Sequence, residues 1–152
     1  MLDTIIKTSR KEQIYNAAIL LFKERGYTAT GMREIAKELD MKAASLYSHI
    51  KSKEEILQKV CFDVAHKFFN GLEGIEKNNF TGKMRINAAI HSHINIIANN
   101  KDQVVVFLNE WKHLGEPYLS DFIELRNQYE NRFKEYIKYG ISKGEFEIDD
   151  LD

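Results

Sequence analysis

Apolar residues recur at spacings of three and four along nearly the whole chain, the pattern of helices with one buried face, and capping residues cut that pattern into segments. Ser9-Arg10-Lys11-Glu12 is a capping box, whose hydroxyl and carboxylate each satisfy an otherwise unpaired backbone donor. It predicts a first helix with Ile14, Ala17, Ala18, Leu21 and Phe22 on its inner face, stopped by Gly26 in the left-handed conformation that glycine adopts without strain. A second start at Thr30 leads into the stripe Met32, Ile35, Ala36 and Leu39, which Asp40 breaks. A third, two-turn helix follows over about Ala43 to Ile50, with Leu46, Tyr47 and Ile50 inward or at its edge. A helix that short needs neighbours to hold it.

Ser52-Lys53-Glu54-Glu55 is a second capping box, opening a long helix expected to carry Ile56, Leu57, Val60, Val64, Phe68 and Leu72 inward and to end near Glu76. The loop Asn78-Asn79-Phe80-Thr81-Gly82 precedes a helix capped by Thr81 and striped by Ile86, Ile90, Ile94 and Ile97, closed by Asn99-Asn100. Val104 to Leu108 has strand propensity, yet no partner strand exists and the run passes straight into Asn109-Glu110-Trp111-Lys112, so it is expected to be helical. The single proline, Pro117, suits the first position of a last helix, where its missing N–H costs nothing. Phe122, Leu125, Tyr129, Phe133, Ile137 and Ile141 form that helix's inner face, and Gly144 with the tail through Asp152 closes the chain. The fold class expected is therefore all-α.

Composition narrows the classes. The 152 residues, 43% of them hydrophobic and 30% charged, lie far from the polar, highly charged composition that keeps chains disordered. No apolar run approaches the roughly 20 residues that a bilayer demands, and Asp3 stands where a secretory leader carries positive charge. A cytoplasmic protein with no membrane partner is expected. Cys61 lies in an apolar stripe and reads as a buried thiol, not a nucleophile. No phosphate loop, nucleophile elbow or Cys-His set occurs, so no catalytic residue, metal or cofactor is expected. The net charge of −1 hides an asymmetry: residues 1–55 hold ten basic and eight acidic side chains, residues 56–152 twelve and fifteen.

The segment Thr30 to Lys53 combines a capped helix, a break of about three residues, a two-turn helix and a capped long helix, which is helix-turn-helix organisation. Lys42, Ala43, Ala44, Ser45, Ser48 and His49 are left on the outer side of the short helix. Small residues there let a helix backbone come close to base edges in a major groove about 12 Å wide. Lys7, Arg10, Lys11, Arg33, Lys51 and Lys53 are candidate phosphate anchors around it. The run Gly26-Tyr27-x-x-Thr30-x-Met32-Arg33-x-Ile35-Ala36-x-x-Leu39, followed by Ser45-Leu46-Tyr47-Ser48-His49-Ile50-Lys51-Ser52-Lys53-Glu54-Glu55-Ile56-Leu57, closely resembles the N-terminal domain of TetR/AcrR-type transcriptional regulators over about residues 8–57. The ending Gly140-Ile141-x-x-Gly144-Glu145-Phe146 is also similar.

The resemblance implies that Thr30 caps the second helix near a phosphate and that Arg33 reaches the backbone or a base edge. It implies that Lys42, Ala43, Ala44, Ser45 and Ser48 face the groove, that Tyr47 and His49 contact phosphates or bases, and that Lys53 grips a phosphate. The sequence departs from the family in carrying Asp40 where glycine is usual and Lys42 where a serine-like cap is common. The implied organisation is a DNA-binding domain over 1–52 and a helical ligand-sensing domain over 53–152. The family continues for two further helices that form most of its dimer interface; either those lie beyond Asp152 or another surface dimerises.

By the same resemblance, the helices after the third enclose a ligand pocket whose occupancy moves the long fourth helix. Phe68, Phe69, Ile90, His93, Ile94, Ile97, Phe107, Glu110, Trp111, His113, Tyr129 and Phe133 lie on or beside the apolar faces and are the candidate pocket residues, with plain core packing the alternative for each. The segment Phe107 to Leu114, with Arg126 and Tyr129-Glu130-x-x-Phe133, is similar to regulators that respond to acyl-CoA thioesters, whose phosphates Arg126 or Arg132 would meet. The function expected is a ligand-responsive repressor, a homodimer bound to double-stranded operator DNA and released by a small hydrophobic effector, acyl-CoA thioesters being one candidate. A rival reading takes Asp63-x-x-His66 and Glu110-x-x-His113 as carboxylate–imidazole pairs at the i, i+3 spacing of metal sites in helix bundles, giving a metal-binding protein or metalloenzyme.

Overall fold

The computed structural model describes residues 9–147. Lys7 and the tail from Ile148 to Asp152 fall outside them. All regular structure among the described residues is helical: α1 (Arg10–Arg25), α2 (Met32–Glu38), α3 (Ala43–Tyr47), α4 (Lys53–Asn70), α5 (Gly82–Asn99), α6 (Lys101–Glu110) and α7 (Tyr118–Ser142), with a 3-10 turn over Trp111–His113. The Val104 to Leu108 run is helical within α6. With no second strand to pair, its backbone donors are satisfied within the helix.

Three helix starts are set by hydroxyl caps. The backbone N–H groups of Glu12, Glu55 and Met84 donate to Ser9 Oγ, Ser52 Oγ and Thr81 Oγ1, each at 3.2 Å. The start of α2 differs from expectation. Its cap is Gly31, whose N–H donates to Glu34 Oε2 at 2.7 Å. Thr30 is 1% exposed and donates its hydroxyl to the Gly26 carbonyl at 2.9 Å. It closes the α1–α2 corner from inside and does not cap α2 toward a phosphate.

Asp40 has φ +52°, so an aspartate takes the left-handed turn between α2 and α3, as short polar side chains do more readily than bulky ones. The Met41 N–H then donates to the Ala36 carbonyl at 2.8 Å and ends α2. Ile35, Ala36, Leu46 and Ile50 are buried beneath this corner.

α4 stops at Asn70 rather than near Glu76. Its continuation would place a chain of full-sized side chains against α5, whereas Gly71 lies so close that an added Cβ would sit 2.2 Å from Ser92 Oγ. The backbone turns there instead, and Leu72 and Ile75 join Ala89 and Tyr136 in a small cluster at the far end of the molecule. Pro117 stands one place before its expected position, at the N-cap of α7.

The main core is continuous from Ile14, Ile35 and Leu46 of α1 to α3, through Leu57, Val64 and Phe68 of α4, to Val106 of α6 and Phe122 of α7. Phe122 is fully buried and meets Phe62, Phe107 and Trp111 at ring-centroid distances of 6.1, 5.3 and 5.8 Å. Cys61 is completely buried and burial pushes its thiol up to about 12. No described helix is long and apolar enough to cross a membrane.

Candidate nucleic-acid interface and cavity

The α2–α3 corner presents one polar face. Arg33, Lys42, Ala44, Ser45, Tyr47, Ser48 and His49 are exposed, whereas Ala43 is half-buried against the core. Leu46 and Ile50 anchor α3 from beneath, which turns the intervening residues outward by helical geometry. Tyr47 keeps 53% of its surface exposed. Among the described residues, Arg33, Lys42 and Lys51 enter no ion pair, whereas Lys11 is paired with Glu55 at 3.2 Å. Arg10 bonds Gln13 Oε1 at 2.7 Å. The face thus carries cations outside any ion pair among the described residues, around small side chains, the chemistry that tracks a phosphate backbone while letting a helix enter a groove.

Lys53 is oriented differently from the free cations. Its ammonium donates to the Tyr27 carbonyl at 2.7 Å and the Thr30 carbonyl at 3.0 Å, and lies 4.2 Å from the centre of the Tyr27 ring. Lys53 therefore fastens the start of α4 to the α1–α2 corner, with its charge spent on two backbone oxygens and an aromatic face.

On the other side of α4, a cavity of about 480 Å³ opens between α4, α5, α6 and α7. Seven candidates meet in its wall: Phe68, Phe69, His93, Ile97, Phe107, Trp111 and Tyr129. Ile90, Ile94, Glu110, His113 and Phe133 are not in it. Ile90 and Ile94 are 45% and 55% exposed on the outer side of α5, since periodicity identifies an apolar face but not the neighbour that covers it. Phe133 packs instead toward Tyr136 in the distal cluster. Glu110 and His113 pair with each other at 3.5 Å and face the α1–α2 corner. The wall also includes Ala65, Val104, Leu108, Ile123 and Leu125, and its polar residues are Arg126, Asn127 and Glu130 on exposed positions of α7. Leu108 and Ile123 each fall off their helix's main stripe, so the apolar spacing does not single them out.

Inside, His93 Nδ1 and Tyr129 Oη are 3.0 Å apart, and the imidazole stacks on Phe68 with centroids 4.6 Å apart. Burial holds the His93 imidazole below its ordinary pKa, which keeps it neutral at pH 7, and pushes the Tyr129 phenol up to about 12. A neutral imidazole and an un-ionised phenol offer one hydrogen-bonding pair in an otherwise apolar wall. At the edge, the Arg126 guanidinium lies over Trp111, 4.9 Å from the ring centre. Arg132, the other arginine singled out by sequence, is paired with Glu76 outside this cavity.

The two carboxylate–imidazole pairs do not converge. Asp63 is bonded to Lys59 at 2.5 Å, Glu110 and His113 lie at the α1–α2 corner, and no described group of three or more His, Cys, Asp or Glu side chains is placed to hold a metal ion. The metal-site reading is set aside on this placement.

Residues 14–60 match the family model "Bacterial regulatory proteins, tetR family", and residues 80–152 match "Tetracyclin repressor-like, C-terminal domain". The chain belongs to the TetR family. The HTH-type transcriptional repressor KstR2 of Mycolicibacterium smegmatis is 28% identical over 142 residues, an alignment spanning 93% of this chain and 69% of that protein. The Staphylococcus aureus biofilm-operon negative transcriptional regulator IcaR is 46% identical over 56 residues, 35% of this chain and 30% of its own. The solved structure of the ketosteroid transcriptional regulator KstR2 of Mycobacterium tuberculosis superimposes with a TM-score of 0.85 at 26% identity, covering 95% of this chain and 74% of that one. This TetR-family chain is a helix-turn-helix, DNA-binding transcriptional regulator built on an all-α fold, and its relatives are regulators, not enzymes.

Proposed function

We propose that the protein is an operator-binding repressor whose release from DNA is triggered by a small hydrophobic effector. The observation that carries the DNA half is the exposed α2–α3 face, where Arg33, Lys42 and Lys51 enter no ion pair among the described residues, around Ala44, Ser45 and Ser48. In this reading α3 enters the major groove, Tyr47 and His49 reach phosphates or bases, and Lys53 acts indirectly by holding the corner. The head comprises residues 1–52 and the sensing part 53–152. A symmetric dimer places two heads on a roughly palindromic site, because two-fold protein symmetry is mirrored in the half-sites.

The cavity supports the effector half. Its volume of about 480 Å³ falls in the range of roughly 300–1,000 Å³ usual for small-molecule sites. Its apolar wall, one internal hydrogen-bonding pair and the edge guanidinium of Arg126 suit an apolar body with an anionic end, which an acyl-CoA thioester supplies. The test is selection of a duplex from random-sequence DNA, followed by fluorescence anisotropy of that duplex while octanoyl-CoA or octanoate is added. Submicromolar binding at 150 mM salt and release by the thioester are expected. No enriched duplex removes the operator reading, and release by neither compound removes the effector class.

A further inference from the structure

The 3-10 turn Trp111–His113 touches two parts of the molecule at once. Trp111 lines the cavity, stacked on Phe122 at 5.8 Å and covered by the Arg126 guanidinium. Two residues on, the His113 ring lies nearly parallel to Tyr27, with centroids 5.4 Å apart and planes 21° from each other. Tyr27 sits in the α1–α2 corner, and it is the residue whose ring and carbonyl both receive the Lys53 ammonium. Just past the turn, the Gly115 N–H donates to Glu54 Oε1 at 3.0 Å in the first turn of α4. An added Cβ on Gly115 would lie 2.7 Å from that oxygen, so the approach is close. Glu110, 16% exposed at its side chain, places its carboxylate 3.5 Å from His113 Nε2, on the ring's other side.

We propose that His113 and Tyr27 are positioning residues that couple the cavity to the helix-turn-helix, the stack between them transmitting displacement of Trp111 to the α1–α2 corner. This rests on the DNA-binding, effector-responsive reading above. Neither residue lines the cavity, and neither lies on the α3 face. The turn is three residues long and tightly wound, so the indole and the imidazole move together instead of being decoupled by a loop. The ring pair is an extended contact that resists sliding, and Lys53 ties the moved tyrosine to the start of α4. The turn is thus a second route beside α4, which lines the cavity with Ala65, Phe68 and Phe69 and begins at the head.

The coupling is reciprocal, so DNA bound at the head must be felt at Trp111, and Trp111 is the single tryptophan of the chain. The experiment uses the intact chain and a duplex recovered from random-sequence selection. Labelled-duplex anisotropy reports binding, and acrylamide quenching of Trp111 emission reports the turn. In the wild type, saturation with duplex is expected to change the quenching constant at least twofold. His113→Phe, which keeps a ring against Tyr27, retains the change; His113→Ala loses most of it while still binding duplex. Tyr27→Leu removes the same stack from the head side and serves as the second variant, with far-ultraviolet circular dichroism showing that each remains helical. Duplex binding with unaltered quenching in the wild type overturns the coupling and leaves the DNA reading standing. Equal changes in wild type, His113→Ala and Tyr27→Leu also overturn it, since α4 alone would then carry the signal. A wild type that binds no selected duplex removes the DNA reading and this coupling with it.

Discussion

Gly82 and Gly140 meet backbone to backbone: a Cβ added to Gly82 would lie 2.3 Å from the Gly140 Cα. The contact sets α5 directly against the end of α7, and the chain then wraps back on itself. The Phe146 ring covers Gly140, and the Glu145 carboxylate accepts the N–H groups of Gly82 and Lys83, each at 2.9 Å. The Gly-x-x-x-Gly-Glu-Phe segment is therefore part of a clasp, in which Gly82 and Gly140 make the space and Glu145 satisfies the first turn of α5.

Filling that space forces backbone apart. Gly82→Ala is expected to cost about 2 kcal/mol, the middle of the usual range for overpacking, less a few tenths recovered from helix propensity. For a chain of this length the melting temperature falls by about 4–8 °C, read by circular dichroism at 222 nm. An unchanged Tm would show that α5 and α7 separate freely.

Lys53 and Lys42 should separate in a salt titration. Lys42→Ala removes an exposed cation and is expected to reduce the slope of log affinity against log salt by about 1. Lys53→Ala leaves that slope unchanged, but strands two carbonyls and lowers stability by about 2 kcal/mol, typical for a charged hydrogen bond. Equal slope losses in both variants would put the Lys53 amine on DNA.

Tyr47→Ala and Arg33→Ala should each weaken binding of a selected duplex, by about tenfold, as loss of roughly 1.4 kcal/mol implies. Helicity and Tm stay within error because both side chains are exposed. The readout is anisotropy at one fixed salt concentration, and undiminished affinity in both would take these residues off the interface.

His93 gives a pH signature. Burial lowers its folded pKa below the ordinary 6.5, so the unfolded chain binds the proton more readily. Its contribution to stability is full above about pH 6.5 and is lost as pH falls from there through the depressed folded value. His93→Gln keeps a partner for Tyr129 without titrating there. The difference in Tm between wild type and variant should shrink or reverse on going from pH 7.5 to 5.5; a constant difference would mean that the imidazole takes up its proton equally readily in the folded and the unfolded chain.

Cys61 should be silent toward Ellman's reagent in the native protein and react fully in guanidinium, because burial both hides the thiol and pushes it up to about 12. Rapid native reaction would show that α4 opens locally.

Much of the fold is legible because caps and periodicity are local. Ser9, Ser52 and Thr81 each start a helix as read, and Asp40 takes a left-handed turn at the place where glycine is usual. Thr30 misled because a threonine before a helix fits either a cap or a buried corner, and only the packing of α1 against the turn decides between them. The end of α4 was hidden for a like reason, since it depends on how near α5 comes to Gly71. The exposure of the α3 face was readable except at Ala43, which packs against the core. The cavity was half readable: Phe68, Phe107 and Tyr129 fall on strong stripes, but Leu108 and Ile123 reach it from the edges of their helices. Lys53 could be placed at a helix start, yet its two carbonyl partners lie 26 and 23 residues earlier in the chain, beyond the range of local pattern.

The joint formed by Lys53, Tyr27 and His113 includes none of the exposed residues of α3. Lys42, Ala44 and Ser45 can therefore be exchanged by mutation without disturbing what holds the head at its angle. A lineage carrying this joint is free to vary the exposed residues of α3 while the contacts that fix the head stay as they are.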